Sequence, residues 1–341
     1  AMRSIAIQDT TTGQGPLQVF TTKGVISIDA PFDRDQWQNL SSPIQTISNL
    51  AAGAVNQTST INVNGDIWFR SSDGIRSFSI ARRDHGTWVN TPLSAEVSRT
   101  LNDDNVPALK FGSAALVDNR LLQLAAPYRY VDTSGNAHGY VHQGIIALDF
   151  HPVSSMFSRS QPSWEGVWTG LLVLQIVHQP DSDRCYLFTL NPDDNTIEMW
   201  ELSKADKFDS EDNPIEWVIE TPSYRFNDDG WSYKRLRTAS IWYDRLTGQV
   251  DFTTKFRADA EPVWQAHHSW QEQATYQDCN LVPCATPLNY REQYRSRVRL
   301  PEMSITCDTV TKKPISDGYT FAMRIEITGF AQIKRLRLEG M

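Results

Sequence analysis

Two turn-forming dipeptides, Asn64-Gly65 and Asp73-Gly74, divide residues 58–80 into three short runs. Asn-Gly and Asp-Gly readily adopt the positive φ angles of a type I′ turn, whose twist matches that of the strands it joins. The runs between the turns are rich in Ile, Val, Trp, Phe and Ser, a composition typical of strands. The segment therefore predicts a three-stranded antiparallel meander in which Trp68 and Phe69 lie on opposite faces.

The same strand–turn–strand scheme recurs about five or six times along the chain, at intervals of roughly 40 to 65 residues. Periods of this size are typical of β-propellers and other folds built from repeated sheets. The sequence therefore predicts an all-β fold of repeated antiparallel sheets, like a β-propeller with five or six blades. The further units lie in residues 17–28, 113–124, 169–202, 238–270 and 296–338, with predicted turns at Lys23-Gly24, Asp118-Asn119, 245–248 and Thr328-Gly329.

One connection has a helical pattern instead. Leu93, Val97 and Leu101 recur at helical spacing within residues 91–102. Thr91 is suited to the N-cap, and Pro92 to the first helical position. We expect one short amphipathic helix here.

Two arrangements fit the strand pattern. One is a double sandwich, and the other is a five- or six-bladed propeller with a sandwich-like elaboration at its C-terminal end. For the second arrangement, the expected domains are residues 1–214, which form propeller blades, and residues 215–341, which form the last blades and the elaboration. The two parts can also form one continuous domain.

Composition limits the classes of function. The chain has 341 residues, of which 40% are apolar and 21% charged, as in a folded protein. Its formal net charge of -8 argues against a protein that grips nucleic acid electrostatically, although an acidic wall would let DNA slide past. No apolar run approaches 18 residues, so no membrane span is expected. The opening Ala1-Met2 suggests that native N-terminal sequence is missing.

The cysteines are expected to be free thiols. Cys279 and Cys284 are close enough for a disulfide or a metal pair, but no second Cys or His pair has the spacing of a zinc finger. Cys185 and Cys307 stand apart from them.

Catalytic and metal-binding motifs are not found. Residues 70–74 come close to the Asp-box of sialidases, but Asp73 and Gly74 are adjacent and the spacing fails, so a hairpin turn is favoured. The acidic turns lack calcium-loop spacing, although a weak cation site at residues 227–230 stays open. The adjacent His267 and His268 would point to opposite faces of a strand. We expect no enzymatic activity, no cofactor and no metal centre.

Basic residues are concentrated near the C-terminus. Arg295, Arg297 and Arg299 alternate and would share one strand face, and Arg335 and Arg337 alternate in a later run. One interpretation is a solvated surface with acidic residues nearby. The other is a contact with an acidic neighbour, such as another copy of the same subunit.

Several phrases form an ordered series that resembles large β-propeller structural proteins of tailed bacteriophages, of the tail, neck or nozzle type. The series runs over about residues 24–338. Its phrases are GVISID with RDQW, VNGDIWFRSSDGIRSF, PLSAEVSRTL, FGSAALVDNRLLQLAAP, GIIALDF, and the ending RSRVRLPEMSITCDTVTKKPISDGYTFAMRIEITGFAQIKRLRL.

The resemblance implies a structural subunit of a virion tail that assembles in the bacterial host cytoplasm. Such proteins form rings, often six-fold, that contribute to head–tail connection, to the conduit for DNA ejection or to fibre attachment. The implied partners are other copies of the chain and neighbouring tail or portal-adaptor proteins, with DNA only as passing cargo. The resemblance implies no catalytic residues.

Two other functions compete with this one. A carbohydrate-binding propeller for host-surface recognition would use exposed Trp164, Trp168 and Trp231, because sugar rings stack on aromatic faces. A propeller-fold glycosidase would need an acid and a carboxylate or Tyr that converge in a central funnel.

Overall fold

The computed structural model of the chain is built from antiparallel sheets with a few short helices, which confirms the predicted all-β class. The chain divides into two compact units, Ala1–Ser203 (unit 1) and Lys204–Met341 (unit 2). The sequence had placed the boundary at residue 214. The residues described are 3–6, 17–29, 34–39, 41, 45–63, 65–85, 92–101, 104–150, 162–179, 181–182, 184–202, 208–210, 213–225, 233–259, 261–273, 290–301 and 317–340.

The first sheet of unit 1 is a four-stranded meander that contains the hairpin predicted over residues 17–28. At its turn, the Thr21 hydroxyl donates to the Gly24 carbonyl oxygen at 2.8 Å and accepts from the Gly24 amide at 3.0 Å. Glycine is needed there because a Cβ would lie 2.6 Å from the Leu50 carbonyl oxygen. The elements are β1 Arg3–Ala6, β2 Leu17–Phe20, β3 Val25–Asp29, α1 Arg34–Asn39 and β4 Gln45–Leu50.

The meander predicted over residues 58–80 is confirmed as a separate three-stranded sheet. Trp68 and Phe69 are both buried, and they enter two different core clusters, so the sheet is covered on both faces. The strands are β5 Thr60–Val63, β6 Asp66–Ser71 and β7 Gly74–Ser77.

The second turn of this meander differs from the prediction. Ser71 pairs with Gly74, so the two-residue loop is Ser72-Asp73 and not Asp73-Gly74. Gly74 is the first residue of β7. A side chain at this position would meet the ring of Pro92, with 2.6 Å between the two Cβ atoms. This close packing and a φ of 157°, which residues other than glycine rarely adopt, together favour glycine here.

The strand predicted to reach residue 80 ends earlier. β7 stops at Ser77, and the helix α2 Phe78–His85 follows directly. A carboxylate oxygen of Asp66 accepts the amide of Ser79, and the Ser77 hydroxyl accepts the amide of Ile80. These bonds satisfy amides of the first helical turn, which would otherwise lack partners.

The helical connection predicted over residues 91–102 is present as two short pieces. A 3-10 helix, Leu93–Val97, leads into α3 Ser98–Leu101, and Pro92 takes the cap position, so the predicted N-cap at Thr91 is wrong. Leu101 is buried against Ala125 and Ile146 of the next sheet. A second 3-10 helix spans Val106–Phe111.

The third sheet of unit 1 has seven strands in the order β14-β13-β12-β10-β9-β8, with β11 also paired to β10. The turn predicted at Asp118-Asn119 is confirmed, and φ angles of 48° and 58° at these two residues are those of a type I′ turn. A single register pair, His142 with Val173, joins the two halves of the sheet. The strands are β8 Ala114–Val117, β9 Arg120–Val131, β10 Ala137–Asp149, β11 Ser163–Trp168, β12 Val173–Gln179, β13 Arg184–Leu190 and β14 Ile197–Leu202.

Unit 2 is organised by two unusually long strands that pair with each other along their length. The turns predicted at 245–248 and at Thr328-Gly329 are wrong, because both segments stay within these strands. Irregular pairing near Thr247 faces Gly329, so the two sites form one shared bend. The strands are β15 Phe208–Ser210, β16 Asn213–Pro214, β17 Glu216–Glu220, β18 Lys234–Ala258, β19 Gln265–Gln273, β20 Tyr290–Arg299, β21 Asp317–Gly318 and β22 Phe321–Gly340.

The bend curls the sheet of unit 2. Leu236 near the start of β18 packs in the same buried cluster as Phe256 and Ala258 near its end, together with Phe321. The inner face of the curl holds the main core of the unit. Its outer face is therefore the surface available for contacts.

Candidate functional site: an arginine-bearing sheet face

Three neighbouring strands, β20, β18 and β22, bring the arginines singled out in the sequence onto one sheet face. Trp242 of β18 is opposite an arginine on each side, and so is Ser240 two residues earlier. Directly opposed residues of an antiparallel ladder share a face. The arginine face, as it is called below, comprises Arg295, Arg297 and Arg299 of β20, Ser240, Trp242 and Asp244 of β18, and Arg335 and Arg337 of β22.

The core determines which way this face points. Ala239, Ile241 and Tyr243 alternate with the residues of the arginine face along β18, and all three are fully buried in the main cluster of unit 2. On the arginine face Ser240 is buried as well, but Trp242 is half buried and the side chains of Arg299, Arg335 and Arg337 are exposed, so these arginines form the outer surface. The Arg335 guanidinium lies over the Trp242 ring, 5.4 Å from its centroid, which is a cation–π contact.

The arginine face carries exposed positive charge. Arg299, Arg335 and Arg337 are exposed. Within the described part of the chain, neither Arg299 nor Arg335 has a carboxylate partner. Arg337 contacts Glu339 at 3.4 Å, but its side chain is 57% exposed, so solvent screens this pair.

The other half of the same outer surface is neutralised. Arg324 contacts Glu220 at 3.0 Å and Glu326 at 2.8 Å, and Lys255 contacts Glu326 at 2.8 Å. The hydrogen bond from Lys255 favours the ionised carboxylate and lowers the pKa of Glu326, despite an opposing effect of partial burial. The contrast indicates that the arginine face is not simply a typical polar exterior of this sheet.

The tryptophans proposed for sugar stacking are not equivalent. Trp164 is half buried and packs against two core clusters of unit 1. Trp168, at the end of β11, is 38% exposed. Trp231 and the residues 227–230 lie outside the described part of the chain.

The described histidines of β19 and the described cysteine are held by contacts or burial within the fold. The His267 Nε2–H donates to the Pro301 carbonyl oxygen at 3.0 Å, and burial lowers the pKa of this histidine. His268 stacks on Trp270, with 5.5 Å between the ring centroids. Cys185 is a free, buried thiol whose pKa is raised by burial to about 12. Cys279, Cys284 and Cys307 lie outside the described residues.

No cluster of three or more His, Cys, Asp or Glu side chains suited to a metal ion occurs among the residues that the structure describes. The near Asp-box has a structural role instead: the Asp73 carboxylate accepts hydrogen bonds from the Ser71 hydroxyl and the Arg76 guanidinium, at 2.6 Å each. These bonds hold the turn between β6 and β7 together.

A second exposed surface was missed in the sequence. β14 is an edge strand of the seven-stranded sheet, and its outward residues Ile197 and Met199 are 68% and 64% exposed. Glu201 follows on the same face, where it contacts the exposed Arg184 of β13 at 3.5 Å. Asp193 and Asp194 lie in the turn before the strand. The alternation of residues 197–202 predicts two faces, but not which of them stays uncovered.

Comparison with known proteins identifies no relative: no family model matches the chain, and no curated protein does. None of the helices in the described ranges is long and apolar enough to cross a membrane. The fold and the site together define an all-β protein with a basic, outward-facing sheet surface.

Proposed function

We propose that the chain is a structural subunit of a tailed-bacteriophage virion, a tail or neck component that assembles as a ring. The observation that carries the proposal is the arginine face, where five arginines on paired strands outnumber the acidic residues of the same face, Asp244 and Glu339. Such a surface fits a fixed protein contact with an acidic neighbour. The virion itself enters through the resemblance of the sequence phrases.

We also propose a propeller-like fold for unit 1, within a chain that has five or six blades in all. Supporting it, consecutive strands pair as successive meanders: β1–β4, β5–β7, β8–β10 and β12–β14. A meander of three or four antiparallel strands is the pattern of a propeller blade. The curled sheet of unit 2 corresponds to the proposed C-terminal elaboration.

The charge distribution suits a wall beside passing DNA. Residues 1–203 contain 13 Lys and Arg and 20 Asp and Glu, and so carry -7 of the chain's formal charge of -8. Negative surfaces repel phosphate and do not retain DNA. In this proposal the chain is not an enzyme, needs no cofactor, and acts in the virion tail after assembly in the host cytoplasm.

The direct test is quantitative mass spectrometry of purified particles of the virus that encodes the chain, with negative-stain imaging of particles labelled by a specific antibody. We expect several copies per particle and label at the tail or neck. Detection of the chain only in infected cells, and never in washed particles, would refute the proposal.

Carbohydrate binding is a second candidate, favoured by the exposed ring of Trp168. A glycan array should then show binding that Trp168→Ala abolishes. Trp37→Ala is a matched control, because Trp37 is 40% exposed but lies outside β11. Equal binding by the two variants would argue against this candidate.

A further inference from the structure

We infer that the partner of the arginine face is a second copy of this chain, which presents the β14 edge of its unit 1. The β14 edge is defined here as Ile197, Met199 and Glu201 together with Asp193 and Asp194. This inference rests on the proposed assembly function and names its contact surfaces. The interface joins two different surfaces, so it is head-to-tail and builds a ring when the rotation between copies closes.

Charge separates the two surfaces. Unit 1 carries -7, whereas unit 2, with 19 Lys and Arg and 20 Asp and Glu, carries -1 and places five of its 12 arginines on one face. Whole copies repel each other weakly at distance, but at physiological salt charges beyond about 8 Å are largely screened. The contact itself is therefore governed by local complementarity.

The acidic turn of the β14 edge is held in place by hydrogen bonds. The Asp194 carboxylate accepts the Thr196 amide at 3.0 Å and the Thr196 hydroxyl at 2.7 Å, which lowers its pKa. Asp193 is anchored through its amide, which donates to the Asn191 side-chain oxygen at 3.0 Å. A preorganised anionic turn loses little conformational entropy when it meets guanidinium groups.

Each surface also has an apolar centre. On the arginine face it is the half-buried Trp242 ring, over which the Arg335 guanidinium lies. On the β14 edge it is Ile197 and Met199, and on the adjacent strand β13 the outward Phe188 is half buried beside Met199. Thioether–aromatic contacts are favourable, and Trp and Arg are enriched in the residues that dominate interface energies.

The arginine face and the β14 edge have similar lengths. Five residues of β20, from Arg295 to Arg299, span about 14 Å, and the two outer strands of the arginine face are about 10 Å apart. The outward residues of β14, from Ile197 to Glu201, also span about 14 Å. An uncovered apolar edge strand is an association hazard unless it is paired or covered, which a second copy would achieve.

The test uses two variants of the full chain, each changed on one surface only. The face variant is Arg335→Glu/Arg337→Glu, and the edge variant is Met199→Lys/Glu201→Lys. A control, Lys23→Glu/Arg129→Glu, makes the same change in net charge as the face variant, at exposed positions elsewhere. All of these side chains are exposed, so folding should be retained, and circular dichroism checks this.

In sedimentation velocity at physiological salt, the wild type should self-associate with increasing concentration. The face and edge variants should each associate about 100-fold more weakly, roughly tenfold for each changed charge, and the control should behave as wild type. Mixed one to one, the two variants should form dimers, because each retains one intact surface. Self-association that both variants retain would overturn the inference.

Other outcomes point elsewhere. If the face variant assembles normally but loses binding to a short DNA duplex, the arginine face serves nucleic acid and the inference is wrong. If the wild type stays monomeric but the face variant no longer enters virus particles, the partner is another virion protein. That last result would overturn this inference and leave the proposed function standing.

Discussion

A buried ion pair in unit 1 offers the sharpest test of the energetics. Arg70 and Asp104 contact each other at 3.0 Å, and each side chain is only 2% exposed. The second carboxylate oxygen of Asp104 accepts the amide of Ala126, whose φ of 51° is unusual for a residue other than glycine. The pair thus links β6 to a strained point in β9. The perturbation is Asp104→Asn, which removes the charge and preserves an oxygen for Ala126.

The expected loss in the free energy of unfolding is set by the buried Arg70 charge that Asp104→Asn leaves without its partner. Arg70 Nε and Nη1 have no hydrogen-bond partner among the described residues, so Asp104 supplies the main compensation for a buried cation. Removing one partner of a buried pair costs about 3–5 kcal/mol, largely through the desolvation of the other. Arg70→Met should cost a similar amount. The double variant should be destabilised by less than the sum of the two, with a coupling of about 2 kcal/mol or more.

Urea unfolding followed by tryptophan fluorescence measures these costs, and the transition of unit 1 is the one to analyse. Glu165→Gln is the matched control, because Arg120 and Glu165 contact each other at 2.9 Å in the same unit but are 32% and 28% exposed. Solvent screening should limit its cost to about 1 kcal/mol. Equal costs for Asp104→Asn and Glu165→Gln, or strict additivity in the double variant, would refute the reasoning.

Three further predictions follow from single positions. Gly329→Ala should destabilise unit 2 by about 1–3 kcal/mol in thermal unfolding, because φ is 108° and a Cβ would lie 2.7 Å from the Gln249 carbonyl oxygen; Gly135→Ala, at φ 83° in open space, should cost less. The pKa of Asp132 is lowered to about 2, chiefly by the hydrogen bond from His138. The ionised Asp132 should therefore stabilise the β9–β10 tip fully above pH 4, and this stabilisation should be lost as the pH falls through 2. NMR titration would measure it. Cys185 should resist thiol reagents at pH 8 until urea exposes it, as peptide mapping would show; labelling in the native state would contradict its burial.

Much of the local structure could be predicted from turn chemistry and alternation. Asp118-Asn119 forms the expected turn, and Trp68 and Phe69 enter different cores as a period of two requires. The turns at 245–248 and Thr328-Gly329 were wrong because residues that favour turns also favour bulges. Which of the two forms depends on whether a partner strand continues across the site.

The candidate site was predictable only in part. That Arg295, Arg297 and Arg299 share a face follows from their spacing, but their meeting with Arg335 and Arg337 across Trp242 does not. Nothing in the local pattern encodes the register between β18 and its two neighbours. The exposure of the β14 edge likewise depends on what the other strands leave uncovered.

The sequence by itself determined the class of the fold, the position of most strands and the two-faced character of each, because φ preferences and side-chain alternation are properties of neighbouring residues. Only the tertiary structure decided that β18 and β22 run on as two long, bent strands. It also decided that distant arginines form one outward surface, while Arg70 is buried with Asp104. These outcomes depend on strand register and burial, which are set by pairing between segments far apart in the chain.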